Sequence, residues 1–103
     1  MDAWIRKGVT LYDRRDHYEA DVCFNTAVRL SPVSFKALYN RGKNRIAMKE
    51  YDLAITDLDK ASSVKPEHAA CHDYLAEAYK YLGQLEVAEK HALIARQLRG
   101  EEE

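Results

Sequence analysis

Residues 4–32, WIRKGVTLYDRRDHYEADVCFNTAVRLSP, decide the fold, because their small and large apolar positions return 34 residues later and then return again. Gly8, Gly42 and Ala76 share one phase of that period, and Ala20, Ala54 and Ala88 share another. Ala27, Ala61 and Ala95 form a third phase, Leu30, Val64 and Leu98 a fourth, and Pro32 is followed in step by Pro66. A methyl-sized residue recurring in two successive helices marks a close crossing, since axes nearer than about 9 Å leave no room for more. The crossing expected on this ground sets Gly8 against Ala20. Larger apolar residues recur around these positions: Trp4 with Leu38, Phe24 with Leu58, and Tyr18 with Tyr51 and Leu85. Their spacing is helical and nowhere alternating, so no strand is indicated.

Each unit therefore reads as a helix, a tight turn, a second helix and a proline-marked connection. The predicted helices cover 2–14 and 17–30, 35–48 and 51–64, 69–82 and 85–99. Pro32 and Pro66 lack the amide proton a continuing helix would use, and each biases the preceding residue away from helical geometry. A turn inside each hairpin favours a left-handed residue, which Gly83 supplies freely, whereas Arg15 and Lys49 would meet a steric cost of about 1–2 kcal/mol. The first two repeats are accordingly expected to turn differently from the third.

Composition narrows the function classes. A chain of 103 residues with 47% hydrophobic side chains has room for one modest core, and 16 basic against 17 acidic residues give a formal charge of −1. That balance does not mark a nucleic-acid-coating protein, and basic residues are not interleaved with aromatics along one stripe, so no nucleic-acid partner is expected. The opening residues are charged and periodic, unlike a signal peptide, and no apolar run approaches membrane-spanning length. A cytoplasmic setting without membrane contact is the expectation. Cys23 and Cys71 lie 48 positions apart, outside any paired framework, and read as small buried thiols.

Trp4, Gly8, Leu11, Ala20, Phe24, Ala27 and Pro32 stand where the tetratricopeptide repeat has its landmarks, and the chain resembles that family from residue 1 to about 100. Lys7 and Arg41 depart from its leucine position, Arg45 from an aromatic one, His72 from tryptophan and Ala92 from phenylalanine. The resemblance implies an all-α, right-handed solenoid of three antiparallel helix-turn-helix hairpins. It implies a single domain over 1–103, with repeats near 1–34, 35–68 and 69–102. It also implies a concave wall built from the first helix of each repeat. The positions that usually contact a ligand there are Asp2, Ile5, Arg6, Val9, Tyr12 and Asp13 in repeat one, and Lys36, Tyr39, Asn40, Lys43, Ile46 and Ala47 in repeat two. Repeat three contributes Ala70, Asp73, Tyr74, Glu77, Lys80 and Tyr81.

Flat rings with polar tips, an amide and scattered charges suit a protein interface. Residues 35–68 hold seven basic against five acidic side chains, and residues from 69 onward hold four against seven, so an acidic ligand segment would lie beside the first two repeats. Arg41 and Arg45 share a helical face at positions usually apolar; pairing with a local acid such as Asp57 is preferred over a ligand carboxylate. The family's chaperone-tail clamp wants lysine and asparagine where Ile5 and Val9 stand, and lysine and arginine where Ala70 and Tyr74 stand. Only Asn40 matches it, and that ligand is not expected.

No phosphate loop, metalloprotease signature, nucleophile elbow or calcium loop occurs, so neither enzymatic activity nor a cofactor is expected. His68, Cys71 and His72 have helical spacing that brings three metal-ligating types to one face, but no fourth ligand accompanies them, and packing is the preferred account. After Leu98 come only Arg99, Gly100 and three glutamates, so the last hairpin is expected to show Leu85, Leu93 or Ile94 to solvent. The expected function is a protein- or peptide-binding adaptor working through Ile5, Arg6, Val9, Tyr12, Lys36, Tyr39, Asn40, Lys43, Asp73, Tyr74, Glu77 and Tyr81. The rival is a self-assembly module in which uncapped repeat ends stack into homo-oligomers.

Overall fold

Six helices fill the described residues, 2–101, of the computed structural model: α1 (Asp2–Asp13), α2 (His17–Leu30), α3 (Phe35–Ala47), α4 (Tyr51–Val64), α5 (Ala69–Tyr81) and α6 (Leu85–Leu98). All bounds fall within one residue of those read from the 34-residue period. The expected domain limits at 1 and 103, and the repeat limit at 102, lie outside the described residues. No strand occurs among them.

The expectation that the first two hairpins turn differently is overturned. Arg15, Lys49 and Gly83 all sit in the left-handed region, at φ 65°, 63° and 79°. In each case the amide of the following residue reaches back over five positions, Asp16 N to Leu11 O at 2.8 Å, Glu50 N to Arg45 O at 2.8 Å and Gln84 N to Tyr79 O at 2.9 Å. The left-handed residue itself bonds to the carbonyl three back. This pair of bonds satisfies carbonyls that the helix end would otherwise leave orphaned, which offsets the steric cost at the two non-glycine positions. Between hairpins, Pro32 and Pro66 occupy the second place of four-residue turns closed by Ser34 N to Ser31 O at 3.1 Å and His68 N to Lys65 O at 3.2 Å. Ser34 Oγ and His68 Nδ1 then cap α3 and α5 by accepting from the amides of Ala37 and Cys71.

Inside a hairpin the glycine at the close crossing also makes room for a large side chain. A Cβ placed on Gly8 would meet the Phe24 ring at 2.4 Å, and one on Gly42 would meet Leu58 Cγ at 2.7 Å. The glycines therefore make room for a large side chain sixteen residues on, and the Ala54 carbonyl also lies 3.3 Å from the Cβ position of Gly42. Ala20, Ala54, Ala27 and Ala61 are fully buried and let α2 and α4 approach both neighbours. Tyr18, expected to pack in register with Tyr51 and Leu85, is 80% exposed, because α2 begins at His17 and it is His17 that takes the register position. Leu85 is likewise exposed.

Consecutive helices pack along the chain, and α1 also touches α3 and α3 touches α5, whereas α2 and α4, and α4 and α6, do not approach one another. First helices drawn together and second helices splayed apart make a curved solenoid with α1, α3 and α5 on the inner wall.

One ionic network is built into that stack. Asp57, 1% exposed, receives a two-pronged contact from Arg41, Nε at 2.9 Å and Nη2 at 2.7 Å, and a third bond from Arg45 Nη1 at 2.9 Å. Arg41 Nη1 also donates to Asn25 Oδ1 at 3.2 Å. Arg45 Nε and Asp21 Oδ1, the two buried side-chain atoms among the described residues without a hydrogen-bond partner, face each other at 3.5 Å. The preferred reading of Arg41 and Arg45 as partners of Asp57 holds, and the network ties α2, α3 and α4 together. A second polar tie is Asn44, fully buried, whose Nδ2 donates to His17 O at 2.9 Å while its Oδ1 faces His17 Nδ1 at 2.8 Å.

Candidate functional site

The inner wall carries a cleft of about 490 Å³ lined by Asp2, Ile5, Arg6, Val9, Thr10, Lys36 and Asn40. Helical spacing explains the set: positions 2, 5, 6 and 9 of α1 fall on one face, and α3 presents Lys36 and Asn40 to it. Ile5 forms the floor, buried in the core with Phe24 and Cys23. Asn40 is braced by its own helix, Nδ2 donating to Lys36 O at 2.8 Å. Arg6 and Lys36 are exposed and make no ion pair with a described carboxylate, so this half of the wall is cationic.

The middle of the wall is aromatic. Lys43 Nζ lies 4.8 Å from the Tyr12 ring and 6.0 Å from the Tyr74 ring, which strings α1, α3 and α5 together through one cation. Tyr39 and Tyr74 meet edge to face at 5.9 Å, and Tyr39 stacks on Phe35 at 5.3 Å and touches His68 at 4.9 Å. Burial pushes the Tyr39 phenol up to about 12, with Tyr74, Cys71 and Tyr12 adding to it. Burial also raises Tyr12 and Tyr74, each with a further push from Glu77. These phenols stay neutral across the physiological range and offer rings and hydroxyls, while Lys43 carries the charge.

Asp73, Glu77 and Tyr81 stand further along. Glu77 faces Tyr12 and Tyr74, Asp73 is engaged by Arg99, and Tyr81 leans outward to stack on Tyr51 at 4.9 Å. The expected residues thus form a basic cleft and an aromatic centre that are continuous, with Tyr81 turned partly towards α4. Phe35, His68 and Thr10 belong to the same wall and are not among the ligand positions expected there. Phe35 and Thr10 lie outside the usual contact positions, and His68 stands in a connection rather than a helix.

The sequence triad of His68, Cys71 and His72 is dispersed over three different partners. His68 Nδ1 caps α5; Cys71 Sγ donates to Leu58 O at 3.4 Å, and burial raises its thiol to about 11. His72 Nε2 lies 3.0 Å from Pro66 O, which can only accept, so Nε2 carries the proton and Nδ1 is left as acceptor. His91 Nδ1, 3.1 Å away, must then donate to it. Among the described residues no three His, Cys, Asp or Glu side chains are grouped to hold a metal.

This histidine pair sets a pH dependence. Burial, and then His72, hold His91 below its ordinary pKa of 6.5, partly opposed by Asp59. A base weakened by folding binds more protons when unfolded, so its stabilisation is complete above about 6.5 and is lost as pH falls below that value. The Asp59 carboxyl, raised by burial, works in the opposite direction further down, in the carboxylate range. The thermal midpoint is expected to fall between pH 7 and 5, and His91→Gln is expected to flatten that slope. An unchanged slope in scanning calorimetry would remove His91 as its source.

A family model described as Tetratricopeptide repeat matches residues 2–34 and 35–68. BBSome complex member BBS4 of Xenopus tropicalis is 32% identical over 85 residues, which cover 82% of this chain and 16% of that protein. The Protein STIP1 homolog of Dictyostelium discoideum is 30% identical over 86 residues, 84% of this chain and 15% of that protein. The chain therefore spans about a sixth of the length of the curated relatives it matches. Among solved structures, the Yersinia enterocolitica type III secretion chaperone SycD in complex with a peptide of the translocator YopD superposes with a TM-score of 0.89 at 22% identity. That likeness covers 94% of this chain and 74% of that one. No helix among the described residues is long and apolar enough to cross a membrane.

Proposed function

The chain belongs to the tetratricopeptide repeat family, and from that premise we propose that it is a protein-binding adaptor whose inner wall receives a peptide or helix of a partner protein. The observation that carries this reading is the continuous run from the Arg6, Lys36 and Asn40 cleft to the Tyr12, Lys43, Tyr39 and Tyr74 cluster, which spans all three inner helices. Such a surface gives a ligand backbone an amide to bond, rings to lie on and three cations for its acidic side chains. A solved protein of the same fold holds a peptide, which supports the reading without naming a ligand. Ile5, Val9, Ala70 and Tyr74 give a chaperone tail's carboxylates no cation at the clamp positions, so the ligand proposed is not of that kind. Residues 1–103 act here as one binding unit, working without catalysis or cofactor. A cytoplasmic setting is supported by Cys23 and Cys71, both buried free thiols.

Tyr39→Ala combined with Asn40→Ala is expected to weaken partner capture about 10- to 100-fold, the range of one or two interface anchors. Ile94→Lys, on the outer helix α6, should leave capture unchanged. The reverse pattern in a pull-down, capture kept by the groove pair and lost by Ile94→Lys, would overturn the groove reading.

A further inference from the structure

The two seams of the inner wall differ in what fills them. Between α3 and α5 the Tyr74 ring lies edge to face on Tyr39 at 5.9 Å and 6.0 Å from Lys43 Nζ, so the chain closes that seam with a ring of its own. Moved back by the 34-residue period, the positions of Tyr39, Lys43 and Tyr74 fall on Ile5, Val9 and Asn40. No ring stands at these three positions, and the seam between α1 and α3 is the cleft of about 490 Å³. Its floor, Ile5, is backed by Phe24 and Cys23 of α2. The seat that the first hairpin offers to the next helix is already taken by α3, so this opening is not a vacant place in the stack.

The polar positions of the two seams differ as well. Arg6 and Lys36 stand where the second seam has Asn40 and Ala70. Both are exposed, and neither is paired with a described carboxylate. Asp2 is the single acid on the lining against these two cations, so the rim keeps a positive charge.

We propose that the partner segment bound by the inner wall is anchored by an aromatic side chain inserted into the seam between α1 and α3, with an acidic residue beside it that meets Arg6 and Lys36. The inference rests on the groove reading and adds to it the chemistry of the ligand. A ring on Ile5 and Val9 takes apolar surface out of water on both sides, as the Tyr74 ring does in the second seam. The neighbouring acid then meets two cations at the edge of a dry contact, where salt screens them less than on an open rim.

The probe is the capped peptide acetyl-Gly-Glu-Trp-Glu-Gly-amide, titrated into the ¹⁵N-labelled chain. It should give saturable amide shifts centred on Ile5, Val9 and Asn40. Replacing its Trp by Ala, or both its Glu by Lys, should weaken binding about 10-fold or more. Arg6→Glu with Lys36→Glu should weaken the acidic peptide to a similar degree and accept the Lys peptide in its place. Val9→Trp, which supplies the missing ring from the chain itself, should abolish binding, and Lys90→Glu on α6 should leave it unchanged. Arg6 and Lys36 are exposed, so the charge reversal keeps the test valid if Val9→Trp disturbs the packing. No saturation at millimolar peptide, shifts centred on α6, or equal binding of the Ala and Lys peptides would overturn the proposal. So would concentration-dependent shifts at Ile5 and Val9 in the chain alone, since a second copy would then occupy the seam. Partner capture separates this inference from the reading beneath it. Capture lost by Tyr39→Ala with Asn40→Ala, yet kept by Val9→Trp and by the charge reversal, leaves the groove standing and removes the aromatic anchor. Capture indifferent to all of these changes removes the groove itself.

Discussion

Asp57→Ala is expected to remove about 3–5 kcal/mol of folding free energy, the range for breaking a buried ion pair from one side. The carboxylate is fully enclosed and accepts three hydrogen bonds from two guanidiniums that are themselves mostly shielded. Removing it leaves both guanidiniums on Asn25 Oδ1, Arg41 at 3.2 Å and Arg45 at 3.5 Å, with Asp21 facing Arg45 without hydrogen-bond geometry, so two mostly shielded cations share one carboxylate. A domain of this size has about 5–15 kcal/mol in total, so much of its stability would go. The chain supplies its own control. At the positions of Arg41, Arg45 and Asp57 the first repeat has Lys7, Leu11 and Cys23, and the third has Leu75, Tyr79 and His91. Arg41→Leu with Arg45→Leu and Asp57→Cys should therefore recover part of the loss, because apolar replacement of buried ion pairs is often neutral, while Asp21 Oδ1 is left without its cation. Urea unfolding decides it: a loss below about 1 kcal/mol for Asp57→Ala would mean that water reaches the arginines after all.

The fold was legible because its determinants are periodic. Alanines at 20, 54 and 88 and prolines at 32 and 66 each act in the same way wherever the 34-residue phase recurs, and the helix bounds followed to within one residue. The errors came where a position acts through a bond that periodicity does not carry. Arg15 and Lys49 look wrong for a left-handed turn until the two back-reaching amide bonds are counted. Tyr18 looks like the register residue until His17 is seen to hold Asn44. The inner wall was legible by position, but its joining by Lys43 across Tyr12 and Tyr74 required the distance between helices far apart in sequence. The cleft that Ala76, Ala88 and Ala92 line on α5 and α6 was foreseen only as an exposed apolar edge, since its hollow arises from Ala76 and Ala92 together.

Phe24→Ala is expected to cost about 3–5 kcal/mol, as for other large-to-small changes at fully buried aromatics. The ring enters the space that Gly8 leaves by lacking a Cβ, so it holds α1 against α2 and also backs Ile5, the floor of the inner cleft. The glycine and the ring are one device: Gly42 and Leu58 repeat it, and the third hairpin replaces it with Ala76 and Ala92. Coupling follows from that complementarity. Gly8→Ala alone should cost about 1–3 kcal/mol, since the added methyl overlaps the ring. Gly8→Ala in the Phe24→Ala background should cost less than it does alone, and can regain part of the loss by filling the cavity and lowering backbone entropy in the unfolded chain. A double-mutant cycle measures this directly, and strict additivity of the two changes would show that Gly8 is small for some reason other than Phe24. If the cycle shows coupling, the same argument runs backwards at the third hairpin. Ala92→Phe should be tolerated only with Ala76→Gly, and the pair should close the cleft on α5 and α6 while leaving the inner groove unchanged.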